Sequence, residues 1–161
     1  MLQMLSTSIT SRFVPLMFSP KFRFSEWSSN QVPSVAAGVY LIWKGEELIY
    51  CGMSGREIEK NTHKKKFGLI TRLNSHASGR LSGDQFCVYV ANRLVIPTLQ
   101  KDDLQSFASG ELTLDRLTKQ FIHHHLEYQY IVVDSSSEAY ALEGLARSGK
   151  FVNQKPLLNP R

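Results

Sequence analysis

Two tyrosines, Tyr40 and Tyr50, separated by nine residues, stand in the runs Gly38-Val39-Tyr40 and Tyr50-Cys51-Gly52. A phenol titrates near 10, so it takes a proton from water only where neighbouring cations favour its ionised form. Arg72 and His76 are four residues apart, a spacing that stacks them on one face of a helix. Glu143 lies next to Ala139 and Ala146 on a helical pattern, and their small side chains leave space around its carboxylate. These residue types together answer the needs of phosphodiester cleavage: a proton acceptor for the attacking water, charge neutralisation at phosphorus, and stabilisation of the leaving oxygen. Tyr40 or Tyr50 would take the proton, and Arg72 would fork onto the phosphate. His76 would hydrogen-bond a tyrosine or phosphate, or shuttle a proton. Glu143 would hold Mg²⁺ (or Mn²⁺), since Mg²⁺ keeps several waters and needs only one or two carboxylates. The bland alternatives are a core hairpin with two structural tyrosines, and a boundary glutamate paired with Arg147.

The elements that must position these groups are legible as patterns. Residues 37–43 and Leu48 to Cys51 are apolar runs broken by Lys44-Gly45-Glu46, which predicts a hairpin of strands buried on both faces. A three-residue turn using Gly45 would put the two phenols on one face, and a two-residue turn would put them on opposite faces. Ile70, Leu73 and Ala77 mark a helix over Leu69 to Ala77, with Arg72 and His76 at the edge of its apolar stripe and open to a groove. Gly79 to Asp84 reads as a loop and Gln85 to Ala91 as a strand; Leu94 to Pro97 then leaves the sheet. Helices follow over Lys101 to Ala108 and Thr113 to His125, then a strand over Tyr128 to Val133. Ser135 and Glu138 form a capping box opening a helix to Arg147, which Gly149 closes. His123, His124 and His125 point about 100° apart on a helix, so they read as helix-end polar residues rather than a metal tract.

Composition narrows the class. A chain of 161 residues with 42% hydrophobic content supports one domain with a real core. Residues 1–34, with early Ser/Thr and three prolines, read as a partly flexible arm with Phe22, Phe24 and Trp27 pinned to the domain; a targeting segment is the alternative there. Cys51 and Cys87 lie in apolar strand-like runs and read as buried thiols of a reducing, cytoplasmic compartment. No apolar run approaches the roughly 20 residues that span a bilayer, so no membrane partner is expected. Residues 56–80 carry seven basic residues (Arg56, Lys60, Lys64, Lys65, Lys66, Arg72, Arg80) against Glu57 and Glu59, a surplus equal to the whole net charge of +5. Such an asymmetry points to a polyanion, most simply a nucleic acid backbone. A lysine loop kept for solubility is the competing reading.

The two tyrosine triplets, the run Arg72-Leu73-Asn74-Ser75-His76, the helix bearing Glu143 and the closing Asn159 resemble, in that order, the motifs of the GIY-YIG nuclease family. The resemblance covers about residues 37–78 and 127–160, with valine and cysteine at the two triplet centres. It implies an α/β (α+β) fold, a small central, mostly antiparallel β-sheet flanked by helices, with an inserted strand and helices at about 79–125. It also implies a metal-dependent endonuclease acting on DNA, with Tyr40, Tyr50, Arg72, His76 and Glu143 as the active site. Glu143 would be the metal ligand, and Gly38, Gly52 and Asn159 structural supports. Arg56, Lys64, Lys65, Lys66 and Arg80 are the expected nucleic-acid contacts. The connection from Gly52 to Arg72 is longer than the family's usual spacing, which leaves Arg56 as an alternative phosphate ligand. A long recognition site would require a homodimer. The other readings are a nucleic-acid-binding module with an idle site and a basic scaffold protein.

Overall fold

The computed structural model describes residues 20–28 and 30–160. The early Ser/Thr stretch and the targeting option lie outside the described residues. Five strands form one sheet: β1 (Phe22–Arg23), β2 (Val35–Lys44), β3 (Glu47–Ser54), β4 (Phe67–Gly68) and β5 (Glu127–Val133). The order is β1-β5-β2-β3, antiparallel throughout, and the short β4 adds in parallel to the start of β2. The helices are α1 (Leu69–Ser78), α2 (Gln85–Val90), α3 (Lys101–Ser109), α4 (Leu114–His125) and α5 (Ser136–Arg147). The class is α+β, with helices on both faces of the sheet. No helix among the described residues is long and apolar enough to cross a membrane.

β2 is apolar almost without a break because both of its faces are covered. Ala36, Tyr40 and Ile42 face a core built with Leu69, Leu73 and Ala77 of α1, Phe86, Cys87 and Val90 of α2, and Ile122 of α4. Ala37, Val39, Leu41 and Trp43 face the other core, closed by Ala139, Leu142 and Ala146 of α5. Burying Leu142 contributes about 1.5–3 kcal/mol, and the small Ala139 and Ala146 beside it pack into the same core. The expected arm contributes β1 to the sheet, where Phe22 and Arg23 pair with Tyr128 and Glu127, and Phe24 is fully buried.

The hairpin reaches its geometry by an unexpected route. Its turn has two residues, Gly45 and Glu46, between the paired Lys44 and Glu47, with Gly45 at φ +58°. That turn alone would oppose the two tyrosines. A register shift follows at once: Trp43 pairs with Leu48 but Ile42 with Tyr50, so Ile49 is an extra residue on β3. This bulge restores the odd count. Tyr50 lies opposite Ile42 and Tyr40 lies two residues from Ile42, which places both phenols on one face.

The expected inserted strand is not there. Gln85 to Val90 is helical, Ala91–Val95 is a π-helical turn and Ile96–Thr98 a 3-10 turn, so Leu94 to Pro97 leaves a helix and not a sheet. Two physical causes override the β-branched and aromatic composition. Asp84 caps the segment, its carboxylate accepting from the backbone N–H of Phe86 and Cys87. The buried positions, Phe86, Cys87, Val90 and Ala91, follow a helical spacing, not an alternation. Cys87 is therefore a helix residue packed against α1.

Candidate active site

Gly38 and Gly52 are where the backbone must come closest. A Cβ at Gly38 would lie 2.2 Å from the Ile131 carbonyl oxygen and 2.6 Å from Leu69 Cδ1, so its absence lets β2 approach both β5 and α1. A Cβ at Gly52 would lie 2.3 Å from the Tyr40 hydroxyl; the phenol lies directly over the Gly52 backbone. Tyr40 and Tyr50 rings are 6.4 Å apart, and His76 sits against both, at 5.4 and 5.9 Å. Phe86 closes over Tyr50 and His76 at 5.0 and 4.6 Å.

His76 was expected at a groove edge, but it is only 1% exposed, because α2 packs Phe86 and Cys87 over the end of α1 where a strand had been expected. Its two ring nitrogens are both engaged: Nε2 lies 2.8 Å from the Tyr40 hydroxyl and Nδ1 lies 2.8 Å from Asp84 Oδ2. The Ser75 hydroxyl donates to the same carboxylate oxygen at 2.6 Å. Burial holds the His76 imidazole below its ordinary value, against the pull of Asp84. Burial would raise the Asp84 carboxyl, but the hydrogen bonds from His76, Ser75 and the Cys87 backbone outweigh it and hold it low. Asp84 is the site residue that sequence reasoning missed. Its signal was an N-cap aspartate ahead of an apolar run; nothing in the sequence ties it to His76.

Tyr40, like His76, is 1% exposed. Burial, reinforced by Tyr50, pushes its phenol well above 10, and the positive charge of the nearby Arg72 guanidinium works the other way. Burial likewise pushes Tyr50 up to about 12, with Arg72 opposing and Glu143 adding to the rise. Burial works against the charge on Arg72, but its contacts with Tyr40, Asp84 and Tyr50 more than offset this and strengthen its hold on the proton.

Arg72 leads out of the buried cluster into an open groove of about 540 Å³ lined by Met53, Gly55, Arg56, Gly68, Arg72 and Glu143 among others. Both candidate phosphate ligands, Arg56 and Arg72, therefore face the same space as Glu143. The N-terminus of α1 also borders it: Gly68 and Thr71 line the groove, no side chain caps the helix there, and no acidic residue occupies its first turn. Backbone N–H groups and the positive end of a helix are thus turned toward the two arginines. Lys64, Lys65, Lys66 and Arg80 are exposed and are not among the groove-lining residues; Lys64 stands 4.7 Å over the ring of Phe67, which is.

Glu143 is half-buried, and among the described residues its ion-pair partner is Arg147, 4.0 Å away. Burial raises its carboxyl, opposed by Arg147, Arg56 and Arg72. Among the described residues no group of three or more His, Cys, Asp or Glu side chains gathers. An undercompensated single carboxylate at an open groove fits a hydrated hard cation that keeps most of its waters, and not a cage of several protein ligands.

Asn159 belongs to the support and not to the groove. Its side chain accepts from the Cys51 N–H and donates to the Cys51 carbonyl, both at 2.8 Å. Gln154 does the same for Leu48 N–H and the Glu46 carbonyl, and Leu158 N–H reaches the Ile49 carbonyl. The tail thereby covers the free edge of β3, bulge included. His123, at the end of α4, donates its Nε2–H to the Ala77 carbonyl 2.8 Å away. Compared with protein-family models, curated proteins and solved structures, the chain matches none of them.

Proposed function

We propose that the protein is a metal-dependent endonuclease of the GIY-YIG type that hydrolyses phosphodiester bonds in DNA. The observation that carries this reading is the convergence of Arg72, Arg56, Glu143 and an uncapped helix N-terminus on one groove, with Tyr40, Tyr50 and His76 stacked directly behind Arg72. A phosphate in the groove draws the Arg72 guanidinium away from the Tyr40 hydroxyl. Water then replaces it at the phenol oxygen. As that water attacks phosphorus, its proton passes to Tyr40 and the Tyr40 proton passes to His76 Nε2. The phosphorus–oxygen bond to the leaving group breaks with its electron pair on the leaving oxygen, which takes a proton from solvent. Such a relay lets a phenol with a raised pKa act without a standing phenolate. Glu143 would hold Mg²⁺ or Mn²⁺, which would supply charge stabilisation at the leaving oxygen. Arg56 in the groove and the exposed Lys64, Lys65, Lys66 and Arg80 outside it would supply contacts to the nucleic acid backbone. Two free, buried cysteines, Cys51 and Cys87, suit a reducing cytoplasmic setting.

A second reading has its own observation. Tyr40 is 1% exposed and both phenols are pushed away from ionisation, which is what a nucleic-acid-binding module with an idle site would show. Nicking of supercoiled plasmid with Mg²⁺ or Mn²⁺, alongside Glu143→Ala and Tyr40→Phe, separates the two. Metal-dependent cleavage lost in both variants supports the nuclease. Salt-sensitive binding with no cleavage of duplex, single-stranded or branched DNA by the wild type supports the module.

A further inference from the structure

Resting on the nuclease reading, we propose that Asp84 is a positioning residue that fixes His76 as the Nδ1–H tautomer, leaving Nε2 as the acceptor of the Tyr40 proton. The argument follows the hydrogen bonds inward. Asp84 Oδ1 is committed to the backbone N–H of Phe86 at 3.0 Å and of Cys87 at 3.4 Å. Asp84 Oδ2 receives Ser75 Oγ–H and faces His76 Nδ1. An ionised carboxylate has no proton to give, so Nδ1 must carry one. With Asp84 holding its proton weakly and His76 neutral, the opposite nitrogen, Nε2, has a lone pair, and it meets the Tyr40 hydroxyl at 2.8 Å. The result is a directed chain, Tyr40 O–H to Nε2, Nδ1–H to Asp84, sealed from solvent by Phe86. When the Tyr40 proton moves onto Nε2, the imidazolium formed is paired with Asp84 at 2.8 Å, a neutralisation available only after transfer. Among the described residues the other charged or titratable groups beside the ring are Tyr50 from β3 and Arg72 from α1; the Cys87 thiol of α2 is turned to the His76 backbone carbonyl, and the acceptor at Nδ1 is Asp84. The inserted segment that carries Asp84 is thus part of the reaction machinery.

The test is Asp84→Asn. Because the capping N–H groups of Phe86 and Cys87 demand an oxygen at the Oδ1 position, the amide NH₂ is forced to the position facing Nδ1. It donates there, His76 becomes the Nε2–H tautomer, and Nε2 loses its capacity to accept. Nitrogen-15 NMR of labelled protein reads this directly: Nδ1 protonated and Nε2 bare in the wild type, reversed in Asp84→Asn. With plasmid as substrate, kcat falls about 10²–10⁴-fold with KM little changed, the range for loss of a positioned base. Ser75→Ala, which removes one donor to Asp84 and leaves the Phe86 and Cys87 N–H groups on Oδ1, keeps the wild-type tautomer. An Nε2–H imidazole in the wild type overturns the proposal without any variant being made, and leaves the nuclease reading standing. So does an Asp84→Asn protein with reversed tautomer that cleaves at the wild-type rate. A wild type with the expected tautomer that cleaves no DNA overturns the relay together with the nuclease reading.

Discussion

Replacing Gly52 by alanine tests the packing of the site through one methyl group. Gly52 has an ordinary strand backbone, so alanine suits its φ and ψ, and the effect is steric alone. The added carbon would stand 2.3 Å from the Tyr40 hydroxyl oxygen and 2.5 Å from Cζ, where ordinary contact begins near 3.4 Å. The phenol must therefore retreat by about 1 Å. It has nowhere to go: Tyr40 is 1% exposed and held between Tyr50 and His76. Either the 2.8 Å bond to His76 breaks or β3 shifts away from β2. Overpacking costs about 1–3 kcal/mol and the lost hydrogen bond about 1, a fall in Tm of about 5–15 °C for a chain of this size. Cleavage falls about 10²-fold, the usual consequence of a 1 Å misplacement. Thermal unfolding and plasmid nicking check both. Combining Gly52→Ala with Tyr40→Phe recovers part of the stability, since the hydroxyl is the first atom met; a double-mutant cycle reads the coupling. A Gly52→Ala protein with unchanged Tm, or a cycle that is strictly additive, refutes the account of why this position is glycine.

Glu143→Gln abolishes metal-dependent nicking. Because burial raises the folded carboxyl above its unfolded value, ionised Glu143 detracts from stability as pH rises past that point, so the metal-free variant has an equal or higher Tm at neutral pH than the wild type, and Mg²⁺ raises only the wild-type Tm. His76 has the opposite linkage: its folded value lies below 6.5, so stability present above 6.5 is lost as pH falls from there through the folded value, and urea unfolding between pH 7 and 5 shows a step that His76→Gln flattens. Asn159→Ala removes two hydrogen bonds to Cys51, lowers stability by about 2 kcal/mol, and accelerates amide exchange at residues 48–51.

What the sequence disclosed and what it concealed divide along physical lines. Glu143, Ala139 and Ala146 were readable because a 3.6-residue pattern states which side of a helix is buried, and the structure places them on α5 as the pattern requires. Ser135 likewise caps that helix, although the Glu138 carboxylate accepts from Asp134 N–H and not from Ser135 N–H as a full capping box would. Gln85 to Ala91 misled because Phe, Val and Tyr suit a strand and a buried helix alike, and only the Asp84 cap decides between them. The burial of His76 was illegible for the same reason: what covers it is α2. The two-residue turn was foreseen as the arrangement that would separate the tyrosines. A bulge at Ile49 has no sequence marker, because its freed carbonyl is satisfied by Leu158, more than a hundred residues later.

The Ile49 bulge makes this hairpin a parity device. Each single-residue insertion or deletion between Tyr40 and Tyr50 moves the second phenol to the opposite face of the sheet, whereas changes in pairs leave it where it is. A one-residue deletion that erased the bulge would preserve composition, hydrophobicity and pairing, yet swap the Tyr50 ring for its neighbours on the α5 side. Length variation tolerated here is therefore expected to come in even steps, or as a compensated exchange in which a longer turn replaces the bulge.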